Sequence, residues 1–199
     1  MSEAVTNNVA HIGVLALQGA FDVHAKRLTE LGAESHLVRK PEQLAALDGI
    51  VIPGGESSTF LWHLELAGFY DVLLEFVRTK PTFGTCAGCI LLAKEVLNPA
   101  QRSFGVLDVT VERNAYGRQN DSAILSGETS LSGGPLETVY IRAPRIARTG
   151  PEVETMASRD GSPTLVRQGH ILAATFHPEL SEDRRVHQYF LDMVTASTR

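Results

Sequence analysis

The chain has 199 residues, 43% of them hydrophobic, and its 18 Lys+Arg against 23 Asp+Glu leave a formal charge of −5. That is enough chain to bury one core without division into two domains. It is too acidic for a protein that mainly grips nucleic-acid phosphates, and no run approaches the roughly 20 apolar residues that cross a bilayer. Two cysteines do not make a disulfide scaffold, and residues 1–8 are polar without a secretory or transit pattern, so a cytoplasmic location is expected.

Residues 12–17 (IGVLAL) predict a buried strand that turns at Gln18-Gly19-Ala20. Phe21, Ala25, Leu28 and Leu31 then recur at helical spacing over 21–32, with Gly32 as the stop. Strands follow at 35–39 and 49–52, then helices at 57–67 and 70–78 separated by Gly68. A short strand at 82–85 runs straight into Cys86, and Ile90, Leu91, Leu92 and Ala93 predict a helix after it. Strands alternating with helices predict an α/β domain on a largely parallel sheet. The second half changes character: 104–113, 138–142, 153–157, 164–167 and 171–176 read as β-rich segments. The Ser- and Gly-rich stretch 126–135 reads as an exposed loop. Residues 181–194 close the chain as a helix, with Val186, Tyr189, Phe190 and Met193 on one face. No repeat or low-complexity linker appears, so one domain is expected over 10–199, behind a disordered extension at 1–9.

Three constellations carry chemistry, each placed after a predicted strand, where ligands gather in open α/β sheets. Gly84-Thr85-Cys86-Ala87-Gly88 has the shape of a nucleophile elbow, whose glycines permit a tight strand-to-helix turn that projects the central side chain. The helix start behind it favours a thiolate. His177-Pro178-Glu179 offers an imidazole to take and return the thiol proton, and a carboxylate to orient it. Pro53-Gly54-Gly55-Glu56-Ser57-Ser58 offers backbone amides that, with the Ala87 amide, could hold an oxyanion. Each has an ordinary alternative: Cys86 as a small buried hydrophobe, His177 and Glu179 as a turn and a helix-start charge, Ser57 or Ser58 as a helix cap. The P-loop pattern is absent, and the seven histidines show no tight metal-ligand spacing. Cys86-Ala87-Gly88-Cys89 is also a C-x-x-C, but a redox reading leaves the Gly54 turn and the His177/Glu179 pair unused.

The PGGES loop, the FGTCAG elbow and the FHPEL segment, in this order and spacing, resemble the class I (triad) glutamine amidotransferases. Within them the chain is most similar to the glutaminase subunits of pyridoxal 5′-phosphate synthase. That narrowing rests on Leu17-Gln18-Gly19-Ala20, Phe83-Gly84-Thr85-Cys86-Ala87-Gly88, Val111-Glu112-Arg113-Asn114, Tyr116-Gly117-Arg118-Gln119 and Ile141-Arg142-Ala143-Pro144. The resemblance runs over 12–194. It implies a flavodoxin-like fold, with Cys86 as nucleophile, His177 as general base and then acid, and Glu179 as its orienting carboxylate. It implies a glutamine site from Gly54, Gly55, Glu56, Ser57, Ala87, Arg113, Ile141 and Arg142. An arginine suits the α-carboxylate of glutamine, and Glu56 its α-amino group. The implied step is hydrolysis of L-glutamine through a thioester, needing no metal or organic cofactor. The implied partner is a synthase subunit that takes the ammonia, within a large ring-shaped hetero-oligomer. A glutaminase serving another synthase, a silent module on the same fold and a thiol redox protein are the competing readings. Cys89 stands where the family more often has a large aliphatic residue, and its i, i+3 spacing suggests that oxidation could link it to Cys86.

Overall fold

The computed structural model describes residues 9–115 and 122–198, so Tyr116-Gly117-Arg118-Gln119 and the segment 1–8 lie outside the described residues. The first half alternates as expected: β1 (His11–Leu15), α1 (Phe21–Glu30), β2 (Glu34–Val38), β3 (Gly49–Ile52), α2 (Ser57–Leu66), α3 (Tyr70–Thr79), β4 (Thr82–Thr85) and α4 (Ala87–Leu92). A short 3-10 turn, Pro41–Ala46, joins β2 to β3. The second half holds β5 (Ala93–Leu97), β6 (Leu107–Glu112), β7 (Ala123–Gly127), β8 (Leu136–Tyr140), β9 (Arg145–Thr149), β10 (Glu154–Arg159), β11 (Ser162–Gln168) and β12 (Ile171–Ala174). It ends with a 3-10 turn, Pro178–Leu180, and α5 (Arg185–Ser197).

Seven strands form the central sheet in the order β10-β11-β12-β4-β3-β1-β2. From β12 to β2 every pairing is parallel; β11 and β10 add an antiparallel edge. The parallel strands β3, β4 and β12 are buried throughout, as strands covered on both faces must be. Alternation divides β3 between the two faces. Ile50 and Ile52 pack with Phe60, Leu64, Leu73 and Val77 of α2 and α3. Val51 packs with Leu28, Phe190 and Val194 of α1 and α5. This three-layer arrangement brings the carboxyl ends of β1, β3, β4 and β12 side by side.

Four expectations need correction. The final helix begins at Arg185, not 181, because Ser181 Oγ accepts the Asp183 N–H at 3.0 Å and Asp183 Oδ1 accepts the Arg185 N–H at 3.1 Å. Those local bonds hold the chain in turns. The loop at 126–135 is partly strand: Ser126 and Gly127 end β7, which pairs antiparallel with β8. The rest is tied down by Arg185, which donates to the carbonyls of Ser132, Gly134 and Pro135. The helix after Cys86 stops at Leu92, since Ala93 pairs with Leu107 and starts β5. Finally, the strand expected at 138–142 lies at Leu136–Tyr140, because Arg142 takes φ 45° and cannot continue it. Strand β9, which no periodicity marked, is held to β6 by Arg145, which donates to Glu112 Oε2 at 3.1 and 2.6 Å.

Candidate active site

Cys86 sits between β4 and α4 at φ 50° and ψ −104°, a backbone state that side chains other than glycine rarely adopt. Its neighbours make the turn possible. A Cβ on Gly84 would lie 2.6 Å from Leu92 Cδ1 and 2.7 Å from the Gly88 carbonyl carbon. A Cβ on Gly88 would run into the Ile52 carbonyl oxygen. The Cys86 N–H donates to the Ala174 carbonyl at 2.8 Å, so β12 pins the elbow to the sheet.

His177 follows β12 and donates its backbone N–H to the Val139 carbonyl at 2.7 Å. Its Nδ1 is 2.8 Å from Glu179 Oε1. Glu179 is fully buried on the 3-10 turn. Burial pushes its carboxyl up, but His24 and the bonded His177 outweigh this and hold it below the usual carboxylate range. For His177, burial opposes the charged ring, yet hydrogen bonding to Cys86 and to Glu179 prevails and raises it to about 10. The ring is therefore disposed to carry a proton between a thiol and a carboxylate. Gly54 packs against both groups: a Cβ there would lie 2.5 Å from His177 Cε1 and 3.3 Å from Cys86 Cβ.

In front of Cys86 lies a pocket of about 140 Å³. Gly55, Glu56, Ser57, Arg113, Ile141 and Arg142 all line it, from three separate stretches of chain, together with Ile90, Asn114 and Pro144. Gly54, Ala87, His177 and Glu179 stand outside its lining. A cavity of about 240 Å³ beside Tyr140 and Thr164 is larger, but no cysteine or histidine lines it.

Within the pocket Glu56 and Arg113 are already engaged. Glu56, not Ser57 or Ser58, caps α2: its carboxylate accepts the Ser58 and Thr59 N–H groups at 3.1 and 2.7 Å. Arg113 donates to Glu56 Oε1 at 3.0 Å and to Ser58 Oγ at 2.7 Å. Burial opposes ionisation of Glu56, but the capping bonds prevail and bring it down to about 2. Ser57 Oγ donates to Gln101 Oε1 at 2.9 Å. Cys89 is fully buried in the apolar core, and burial, then the neighbouring Cys86, pushes its thiol up to about 12. A thiol so disfavoured as thiolate is a poor partner for a disulfide with Cys86.

The model of the SNO glutamine amidotransferase family matches residues 14–196. This chain belongs to that family. The pyridoxal 5′-phosphate synthase subunit PdxT of Koribacter versatilis (strain Ellin345) is 65% identical over 183 residues, covering 92% of this chain and 95% of its own. The same-named subunit of Solibacter usitatus (strain Ellin6076) is 51% identical over 186 residues, covering 90% and 97%. A crystal structure of a glutamine amidotransferase matches with a TM-score of 0.86 at 46% identity, over 92% of this chain and 98% of that one.

Sequence reasoning passed over two residues beside this family's pocket. Gln18, read as part of a turn and of the Leu17–Ala20 motif but given no role, donates to the Glu56 carbonyl at 2.6 Å and lies where a Cβ on Gly55 would sit, 3.0 Å from its Cδ. Its place in the turn that follows the first strand, in the Leu17–Ala20 motif, was the available signal. His24, one of seven histidines, reaches Glu179 from α1 and carried no signal in spacing. The histidines also prove less scattered than their spacing suggests: parallel pairing of β1 with β2 gathers His11, Glu34 and His36. Their rings stack, with the nitrogens 3.2 Å apart, at the start of β1 and far from the strand ends that carry the pocket. Among the described residues no helix is long and apolar enough to cross a membrane.

Proposed function

We propose that this chain is the glutaminase subunit of a pyridoxal 5′-phosphate synthase, and that Cys86, His177 and Glu179 hydrolyse the side-chain amide of L-glutamine. One observation carries the assignment: a strained cysteine and a carboxylate-bound histidine, both against Gly54, with a small polar pocket in front. Cys86 Sγ attacks the amide carbon and its proton passes to His177. The amide π electrons move to oxygen, and the resulting oxyanion is held by the Ala87 N–H with amides of the Gly54–Gly55 turn. His177 returns the proton to the amide nitrogen, the C–N bond breaks, and ammonia leaves a thioester on Cys86. Water then attacks the thioester carbon while His177 takes one of its protons. Collapse releases glutamate and restores the thiol. Glu179 keeps the ring in the tautomer with hydrogen on Nδ1 and balances its charge.

Arg113, with Arg142 and Ile141, holds the α-carboxylate end of glutamine, while Glu56 and Ser57 face its α-amino end. Because Arg113 and Glu56 are paired in this structure, substrate has to compete for them. Ammonia goes to the synthase subunit, in a ring-shaped hetero-oligomer in the cytoplasm, with 10–199 as the amidotransferase domain and 1–9 as an extension. The test is an electrophilic glutamine analogue with mass spectrometry. The reading expects one adduct, on Cys86 and not Cys89, blocked by glutamine and lost in Cys86→Ala. Labelling of Cys89, or labelling indifferent to glutamine, would overturn it.

A further inference from the structure

His24 and Arg27 lie three residues apart on one face of α1, and both reach the turn that carries Glu179. Arg27 Nε donates to the Glu179 carbonyl at 3.2 Å. His24 Nε2 lies 3.3 Å from Glu179 Oε2 and 3.2 Å from Thr85 Oγ1. His24 Nδ1 is 2.9 Å from His187 Nε2 on α5. All three side chains of the Glu179–His24–His187 row are fully buried. Oε2 makes no in-line hydrogen bond, and His24 is the only ion-pair partner found for it among the described residues. A row thus runs inward from Cys86 through His177, Glu179 and His24 to His187, and its inner half has no part in the chemistry set out above.

The protons along this row can be placed by elimination. Burial, then the His177 charge, outweighs Glu179 and keeps His24 below its ordinary value. Burial, chiefly, brings His187 down to about 3. Both rings are neutral at pH 7, so each has one N–H and one bare nitrogen. An ionised Glu179 only accepts, which calls for a proton on His24 Nε2; that N–H makes its in-line hydrogen bond to Thr85 Oγ1 at 3.2 Å and passes Glu179 Oε2 at 3.3 Å. His24 Nδ1 is then bare and accepts from His187 Nε2–H. His187 Nδ1 is left without a hydrogen and is the one ring nitrogen of the row with no partner, which costs less than an orphaned N–H would.

We propose that His24 is a positioning residue for glutamine hydrolysis: its Nε2–H steadies the second oxygen of the Glu179 carboxylate, and His187 fixes which His24 nitrogen carries the proton. The inference rests on the triad reading given above. A neutral donor suits this place. A cation would draw the Glu179 charge away from His177 just as that ring becomes imidazolium, whereas an N–H dipole holds the carboxylate in plane and leaves its charge to His177. The contact at 3.3 Å is loose and can tighten as the intermediate forms. Among the described residues, the groups around His24 include no rival donor of charge. They are Glu179 and His177 after β12, His187 on α5 with Arg184 before it, and uncharged Phe83 and Thr85 on β4. On its own helix Arg27 is already bound to Glu30 and Glu182.

The experiment is glutaminase kinetics against pH for wild type, His24→Leu and His24→Gln, with Cys86→Ala as the blank, all with the synthase subunit present. His24→Leu is expected to lower kcat on the order of tenfold or more, with KM for glutamine unchanged. Its alkaline limb of kcat/KM should move to lower pH, because a less steady Glu179 supports the His177 imidazolium less well. His24→Gln, whose amide N–H can stand in for Nε2–H, should recover most of both. An unshifted limb, kcat and KM changing together, or no rescue by Gln would overturn the proposal. Activity persisting in Cys86→Ala would instead overturn the triad reading. Should the Leu variant not fold, nitrogen-15 histidine NMR of the wild-type chain decides. Neutral His24 and His187, each protonated on Nε2, are expected, and a charged His24 or a proton on its Nδ1 contradicts the proposal.

Discussion

Gly54→Ala is the sharpest perturbation the site offers, because it adds one methyl group and nothing else. Gly54 has no positive φ, so alanine is tolerated by the backbone there. The new Cβ would stand 2.5 Å from His177 Cε1, against about 3.4 Å for an ordinary contact, so the ring must retreat by about 0.9 Å. It has little room to do so, being held by Glu179 at 2.8 Å and by its backbone bond to Val139 at 2.7 Å. A misplacement of about 1 Å at reacting groups costs on the order of 10²-fold in rate, or about 2.7 kcal/mol of barrier. The assay is glutamate release at saturating glutamine with the synthase subunit, alongside a thermal melt. Gly127→Ala is the control, since its Cβ would meet nothing nearer than Ser158 O at 3.9 Å. A folded Gly54→Ala protein with wild-type kcat would refute the claim that this turn presses on the catalytic pair.

Two further outcomes follow from the charges. Arg113→Ala should raise KM for glutamine on the order of tenfold while changing kcat less, as loss of a charged contact to bound substrate does; steady-state kinetics checks this, and a fall in kcat alone would contradict it. Acid stability should reflect the two buried neutral histidines. His24 and His187 stay neutral in the folded chain but charge in the unfolded one, so the unfolded state binds more protons below pH 6.5. Stability is whole above pH 6.5 and falls toward pH 3. His187→Gln should flatten that fall by about 1.4 kcal/mol per pH unit, read from urea midpoints between pH 7 and 4. An equal slope in both proteins would contradict the placement of His187.

Which parts of this fold were legible in the sequence follows from how local their causes are. The Cys86 elbow was legible because its shape depends on Gly84 and Gly88, and glycine at a strand end has few other uses. The parallel half was legible because β3 (GIVI) and β12 (ILAA) are continuous apolar runs, and β4 (TFGT) runs straight into the Cys86 elbow. Strands β5 and β9 were not, since β5 (AKEVL) is half exposed and each depends on pairing with β6. Cys86, Gly55, Glu56, Ser57, Arg113, Ile141 and Arg142 line one pocket, but the state of Glu56 and Arg113 had no signal in the motifs. A carboxylate that caps a helix while holding an arginine 57 positions away has no local signature. His24 is the extreme case, a single histidine whose role is set by a turn some 150 residues later.

The central claim is that Cys86, served by His177 and Glu179, hydrolyses glutamine for a synthase partner. It is tested most directly by glutamate release from glutamine, with and without a pyridoxal 5′-phosphate synthase subunit, for the wild type and Cys86→Ala. The account predicts turnover that the partner strongly stimulates and that Cys86→Ala abolishes in a folded protein. Turnover that survives Cys86→Ala would contradict the chemistry, and turnover indifferent to the partner would contradict its destination.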